Sequence, residues 1–450
     1  MSIRTYILEY YNRITLLILG FILISIGLVY TTDVIELTEG IYNIFIHHHR
    51  TESNLLGVAG NTGSLWVNSG LIMISFWLTY VLGRSKMKGI DIAAAIQIFG
   101  FSFFSLSLIA VWPSIFGAQL EAKVNGKSAA DNLAVAWFTT ALSPIVSTII
   151  FHFSGFNPGS FSAVAVAFGL GFVLGFISSM LAGYMKVLHG GRLLFNMGLT
   201  TGVVAWFFYN FMRYIGLDIG PIDGIPTPEY DWRPYFTFMM IAFYFILMGA
   251  IYDKGLSKYF NTLFWKSTDG GDFCAEYSKG TAWINVGVVS IVALTLVAIV
   301  VPNGQLEDGT LAGVFTAAGF GAFGVTLRSW LPMYFTVYIA SFFLGGIEGL
   351  FAQTSFLSGA IQKLTSIGNI SASLHIAGSS PVVRRDGIVP AVIVAVLHMM
   401  NTANVSVLTG WMHSYTNGFS QGIVLVLFYP VWYYFSRRHK GNDVETIQYK

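Results

Sequence analysis

The amino-acid sequence predicts an all-α integral-membrane protein of about ten transmembrane helices plus re-entrant elements, folded as two inverted-topology repeats of five spans each. Three observations predict it. Apolar runs of about 20 residues, enough to cross a hydrocarbon core of about 30 Å, recur along the 450-residue chain. Only 10% of the residues are charged and 54% are hydrophobic, whereas a soluble domain carries about a quarter charged residues. The second half of the chain repeats the first, with opposite charge in equivalent loops.

In chain order, Arg4 and Arg13 lead into the first apolar run, Ile14 to Tyr30, and no small-residue cleavage site follows. A retained first span is therefore expected. The remaining first-half spans are expected near 63–82, 90–112, 160–185 and 193–214. Those of the second half are expected near 235–252, 280–301, 309–329, 387–409 and 415–436. One element per half, near 114–158 and 333–381, is ambiguous and is expected to enter and leave on one side, so that each half crosses an odd number of times. The stretch LDIGPIDGIPTPEYDW, 217–232, is rich in Pro, Gly and acid. It reads as an extracellular linker between repeats 1–216 and 233–450.

Several matches separated by about 217 to 223 positions carry the duplication. Thr15, Gly27 and Tyr30 pair with Thr237, Gly249 and Tyr252. GSLWVNSG pairs with GTAWINVG, bringing Trp66 to Trp283 and Asn68 to Asn285. GFSFF and GFGAF follow, with Pro113 opposite Pro332. FNMGLTTGVVAWFFY lines up with YTNGFSQGIVLVLFY, and HFSGFNP (His152 to Pro158) with HIAGSSP (His375 to Pro381).

Charge then orients the halves. GRSKMKG (83–89) is basic, and its counterpart VPNGQLEDG (301–309) has two acids and no base. The loop after the first span holds Asp33, Glu36, Glu39 and Glu52, while the equivalent loop holds Lys254, Lys258, Lys266 and Lys279. Opposite bias in equivalent loops is what inversion requires, because Lys and Arg collect on the cytoplasmic side. Both termini are expected there, in the cytoplasmic membrane.

The candidate site follows from the interruptions. Gly and Pro break helices, and broken backbone survives at membrane depth only where protein or water satisfies it. His152, Gly155, Asn157 and Pro158 of one half, with His375, Gly378, Ser380 and Pro381 of the other, are expected to line a polar pathway. The competing structural reading has each histidine simply bonding a carbonyl in a buried turn. Asn68, Asn285, Trp66 and Trp283 are further lining candidates, although an interface tryptophan and a glycine for close helix packing would explain the same motif. Asn196 with Thr416 and Thr200 with Ser420 read as polar glue between helices.

Asp91, Glu348, Lys363 and Arg328 fall near span ends or in the ambiguous elements, and none has a charged partner in the other half. Intramembrane carboxylates mark ion coupling, so their scarcity favours facilitated passage. HHHR, His47 to Arg50, is expected to be a solvated loop. A net charge of +2 gives no footprint for nucleic acid, and the single Cys274 excludes an intrachain disulfide. Neither Walker nor HExxH motifs occur. No cofactor and no metal are expected.

The duplicated GxxWxNxG and HxxGxxP elements resemble a duplicated family of prokaryotic integral-membrane proteins of unknown function, and the resemblance implies no activity. In architecture, five plus five inverted spans with re-entrant elements are similar to the urea-transporter and ammonium-channel folds. The function expected is a channel or facilitative uniporter for a small polar solute or ion, assembled as a homodimer or homotrimer in the bilayer. A Na⁺- or H⁺-coupled carrier and a membrane-embedded metal-dependent enzyme are the alternatives.

Overall fold

A computed structural model describes residues 8–47, 49–50, 55–153, 155–217, 233–253, 255–266, 270–301 and 308–438. The expected linker at 217–232 lies, beyond Leu217, outside them. Every regular element among the described residues is helical. The first copy comprises α1 (Tyr11–Tyr30), α2 (Thr62–Leu82), α3 (Gly89–Phe101), α4 (Trp112–Val124), α6 (Phe161–Leu188) and α7 (Asn196–Tyr214). Between α4 and α6 lies α5, Leu133–Phe151, whose middle tightens into a 3₁₀ turn at Thr139–Leu142. The second copy comprises α8 (Arg233–Asp253), α9 (Lys279–Val300), α10 (Asp308–Phe320), α11 (Leu327–Phe351), α13 (Ile388–Leu408) and α14 (Thr416–Arg438). Its interrupted element, α12, runs Ile367–His375, a 3₁₀ turn Ile376–Ser379, then Pro381–Arg385.

Nine helices among the described residues are long and apolar enough to cross a membrane: α1, α2, α5, α6, α8, α9, α11, α13 and α14. The chain is a multi-pass membrane protein. Three expected spans are not among them, whereas α5 and α11, which lie in the elements expected to enter and leave on one side, are. The run 193–214 forms α7, of 19 residues. The runs 90–112 and 309–329 break after Phe101 and Phe320, leaving α3 and α10 at 13 residues each. At 1.5 Å per residue, about 20 Å, neither crosses a bilayer alone. An asparagine on a neighbouring helix holds each break. Asn68 in α2 donates to the carbonyls of Ser102 (3.2 Å) and Leu106 (3.1 Å). Asn285 in α9 does the same for Gly321 (2.7 Å) and Val325 (2.8 Å). Each amide satisfies carbonyls that the ended helix has left without partners.

Equivalent helices of the two copies meet directly, head to tail. Tyr11 at the start of α1 donates to the Met248 carbonyl near the end of α8 (2.8 Å), and Tyr30 at the end of α1 bonds Thr237 near the start of α8 (2.7 Å). Gly100 lies against Leu311 and Ala312, near the start of α10, whereas Gly319 lies against Ala93, near the start of α3. A Cβ on Gly198 would sit 2.7 Å from the Gly418 Cα, so α7 and α14 touch backbone to backbone.

The interrupted elements reveal a register that the sequence matches missed. The two 3₁₀ turns, each followed by Ser-Pro, place Ser143-Pro144 opposite Ser380-Pro381 and Phe138 opposite His375. Backbone bonds across the copies obey this register. The Ser414 N–H donates to the Ala141 carbonyl (3.0 Å), and the Leu194 N–H to the Gly378 carbonyl (2.7 Å). α11 is 25 residues where α4 is 13, and α6 is 28 where α13 is 21. The separation is 219 at Pro113 and Pro332, 237 at the Ser-Pro turns and 220 at Leu194 and Ser414, so a constant separation returns on both sides of a stretch that has slipped.

Candidate functional site

Three non-helical segments from each copy converge in the buried interior: the breaks after α3 and α10, the 3₁₀ turns of α5 and α12, and the residues just before α7 and α14. Ser105 Oγ donates to Ser414 Oγ (2.7 Å), and a Cβ on Gly324 would lie 3.0 Å from the Leu194 side chain, the equivalent contact. An aromatic cluster fills the centre. Phe101 packs on Tyr415 (4.6 Å between ring centroids) and Phe320 on Phe195 (5.7 Å), and Phe195 meets Tyr415 at 4.9 Å.

On the α12 side of this junction polar side chains form a connected network. His375 Nδ1 donates to the Ser371 carbonyl (2.9 Å), which leaves Nε2 as the acceptor in that tautomer. Asn417 Nδ2 donates to Ser371 Oγ (3.2 Å). Gln421 Nε2 donates to the His375 carbonyl (2.8 Å), and Ser379 Oγ donates to Gln421 Oε1 (2.8 Å). A Cβ on Gly378 would lie 2.8 Å from Gln421 Oε1, so a larger residue would push that amide aside. Asn417 Oδ1 and Ser380 Oγ are buried and have no hydrogen-bond partner among the described residues. Such atoms are rare in folded proteins, and they mark where a water or a solute completes the network.

The expected pairing of His152 with His375 is not what forms. His375, Gly378, Ser380 and Pro381 are buried in the interruption of α12. His152, Gly155, Asn157 and Pro158 are exposed in the connection between α5 and α6, a segment longer than the 386–387 connection of the second copy. Phe138, not His152, occupies the place equivalent to His375. Trp66 and Trp283 are fully buried rather than at an interface. Trp66 stacks near Phe238 (4.7 Å), and Trp283 Nε1 donates to Asn12 Oδ1 (3.1 Å), so both seat α1 and α8. Asn68 and Asn285 shape the breaks. The glue expected of Asn196 and Ser420 is present: Asn196 donates to the Ala182 carbonyl (2.9 Å), and Ser420 Oγ lies 2.9 Å from His398 Nδ1.

The ionisable candidates lie elsewhere. Asp91 accepts from the Tyr80 hydroxyl (2.8 Å) and the Lys88 N–H (2.6 Å) at the start of α3, and Glu348 pairs with Lys363 (2.8 Å). The HHHR stretch is not a solvated loop: His49 and Arg50 are fully buried. The His49 N–H donates to Ser147 Oγ (2.9 Å), and the Arg50 guanidinium lies 5.7 Å from the Trp411 ring centre. Burial, with His47 beside it, pushes the His49 ring pKa down to about 3. Burial also pushes the Cys274 thiol up, as does the neighbouring Asp272, which leaves it a poor nucleophile.

Ser371, Ser379, Asn417 and Gln421 escaped sequence reasoning. Their signal was a mismatch between the copies: YTNGFSQG carries Asn417 and Gln421 where FNMGLTTG carries Met197 and Thr201.

Comparison with known proteins gives one family. A family model described as a protein of unknown function, DUF1576, matches the chain twice, over residues 34–214 and 253–433. Neither a curated protein nor a solved structure matches.

Proposed function

Because the chain belongs to the DUF1576 family, in two copies whose description carries no activity, we propose its function from geometry: a membrane channel or facilitative uniporter that moves a small polar solute between inverted copies. The observation that carries this reading is the convergence of six non-helical segments on a buried polar cluster, His375, Ser371, Asn417, Gln421 and Ser379. Unwound backbone at membrane depth, offered to a solute at the junction of repeats, is the arrangement of secondary transporters.

The topology supports it. Lys86 pairs with Glu9 (2.7 Å), Lys88 with Asp131 (2.8 Å), and Lys279 donates to the Leu8 carbonyl (2.8 Å). The starts of α1, α3, α5 and α9 and the end of α4 thus share one lysine-rich end, the cytoplasmic one by charge. On this reading α3 and α4 form a re-entrant hairpin from the cytoplasm, α10 and the first turns of α11 form its inverted counterpart, and five crossings remain in each copy. Both termini then face the cytoplasm.

Flux into proteoliposomes, with and without an ion gradient, tests the proposal. Uptake down the solute gradient alone is expected, at least tenfold lower in His375→Ala and Gln421→Leu. Uptake only under a Na⁺ or proton gradient would make it a coupled carrier, and absence of any uptake would sink the transport reading.

A further inference from the structure

Gln97 and Thr316 stand at equivalent positions of the two copies, one turn inside α3 and α10 from Gly100 and Gly319. Both are fully buried. In the head-to-tail register of these helices they come opposite one another at the pseudo-two-fold axis, and a Cβ on Gly319 would lie 3.3 Å from Gln97 Cγ. Yet Gln97 Nε2, Gln97 Oε1 and Thr316 Oγ1 have no hydrogen-bond partner among the described residues. A helical threonine ordinarily donates to the carbonyl four residues back, as Thr15, Thr200, Thr201 and Thr336 do here. An amide and a hydroxyl left without partners in a dry interior are costly, so something outside the fold is expected to meet them.

The surroundings say what. One turn before Thr316, a Cβ on Gly313 would touch His375 Nδ1 at 3.2 Å, which joins the pair to the His375–Ser371–Asn417 network as one polar strip. The other wall is aromatic, with Phe99 on Phe315 (4.5 Å) and Phe238 on Phe315 (5.6 Å). No carboxylate, lysine or arginine belongs to the strip, so a bare ion would find no counter-charge there. We propose that Gln97 and Thr316 form the central selectivity step, and that the solute is uncharged, small, and able both to donate and to accept hydrogen bonds. This rests on the transport reading and names its substrate class.

The test uses the full-length protein in liposomes, with glycerol and acetamide as neutral probes and Na⁺, K⁺ and Cl⁻ as ionic ones. Wild-type protein is expected to pass at least one neutral probe and none of the ions. The Gln97→Leu/Thr316→Val double variant is expected to lose at least tenfold of that flux while keeping or gaining thermal stability, since it removes unpartnered polar atoms. A stable double variant with wild-type flux, while His375→Ala remains impaired, overturns the central step and leaves transport standing. Ion currents without neutral flux overturn the solute class. Failure of wild-type protein to pass any probe overturns both.

Discussion

The two interrupted helices occupy equivalent places and share a backbone frame, yet differ in most of the side chains they present. α5 and α12 each carry a 3₁₀ turn before Ser-Pro, and each turn gives a carbonyl to the opposite copy. Around that shared frame, α12 presents Ser371, His375 and Ser379, where α5 presents Ala134, Phe138 and Leu142. Duplication thus supplied two scaffolds, and only α12 carries the Ser371–His375–Ser379 row on its frame. Symmetry marks the residues that build this protein, and departure from symmetry marks those proposed to work.

That division makes the largest effects symmetric. Gly198→Leu and Gly418→Leu each force a side chain into the opposite copy's backbone, a contact with no room to relax. Each is expected to cost about 3 kcal/mol or more and to abolish monodisperse folded protein on size exclusion. Gly169→Leu in α6, with nothing within 4 Å of its Cβ position, is the control and should fold normally. Unequal outcomes at 198 and 418 would show that the seam is not shared.

How much of this was legible follows from the same division. The apolar spans could be read because hydropathy is a local property of about 20 residues. The breaks after Phe101 and Phe320 could not, because α3 and α10 stay apolar to their ends and the asparagines that hold the turns lie on other helices. HFSGFNP resembled HIAGSSP through a shared His, Gly and Pro, and the return of the same separation beyond it hid the slip. The true register was written in the sequence as Asn132 followed by Ser143-Pro144, against Asn369 followed by Ser380-Pro381. A search for one constant separation passes over it. Gln97 was visible as a lone amide in an apolar run, but its meaning depends on Thr316, which only the packing of α3 on α10 brings opposite.

A smaller effect is expected at the asparagine anchors. Asn68→Ala frees two buried carbonyls and should cost about 2 kcal/mol. Asn285→Ala should cost about 1 kcal/mol more, because Asn285 also accepts from the Tyr259 hydroxyl (3.1 Å), whereas Asn68 Oδ1 has no partner among the described residues. Thermal unfolding of the two variants in one detergent decides it. Equal losses would mean that the Tyr259 bond contributes little and that the copies are more alike here than their contacts indicate.

The smallest expected effect is the most discriminating. His152 is exposed at the C-terminal end of α5, beyond the point where the copies correspond. It caps that helix through its backbone N–H, which donates to the Thr148 carbonyl (2.8 Å), a bond that alanine keeps, and exposed side-chain substitutions fall within about 0.5 kcal/mol of neutral. His152→Ala should therefore leave both the unfolding temperature and solute flux unchanged, while His375→Ala, on the same backbone frame, loses flux. If flux falls equally in both, the histidines act as a pair despite their positions, and the assignment of polar function to α12 alone fails. If neither changes flux, the solute does not pass His375, and the unpartnered Gln97 amide and Asn417 Oδ1 would have to define a route that avoids it.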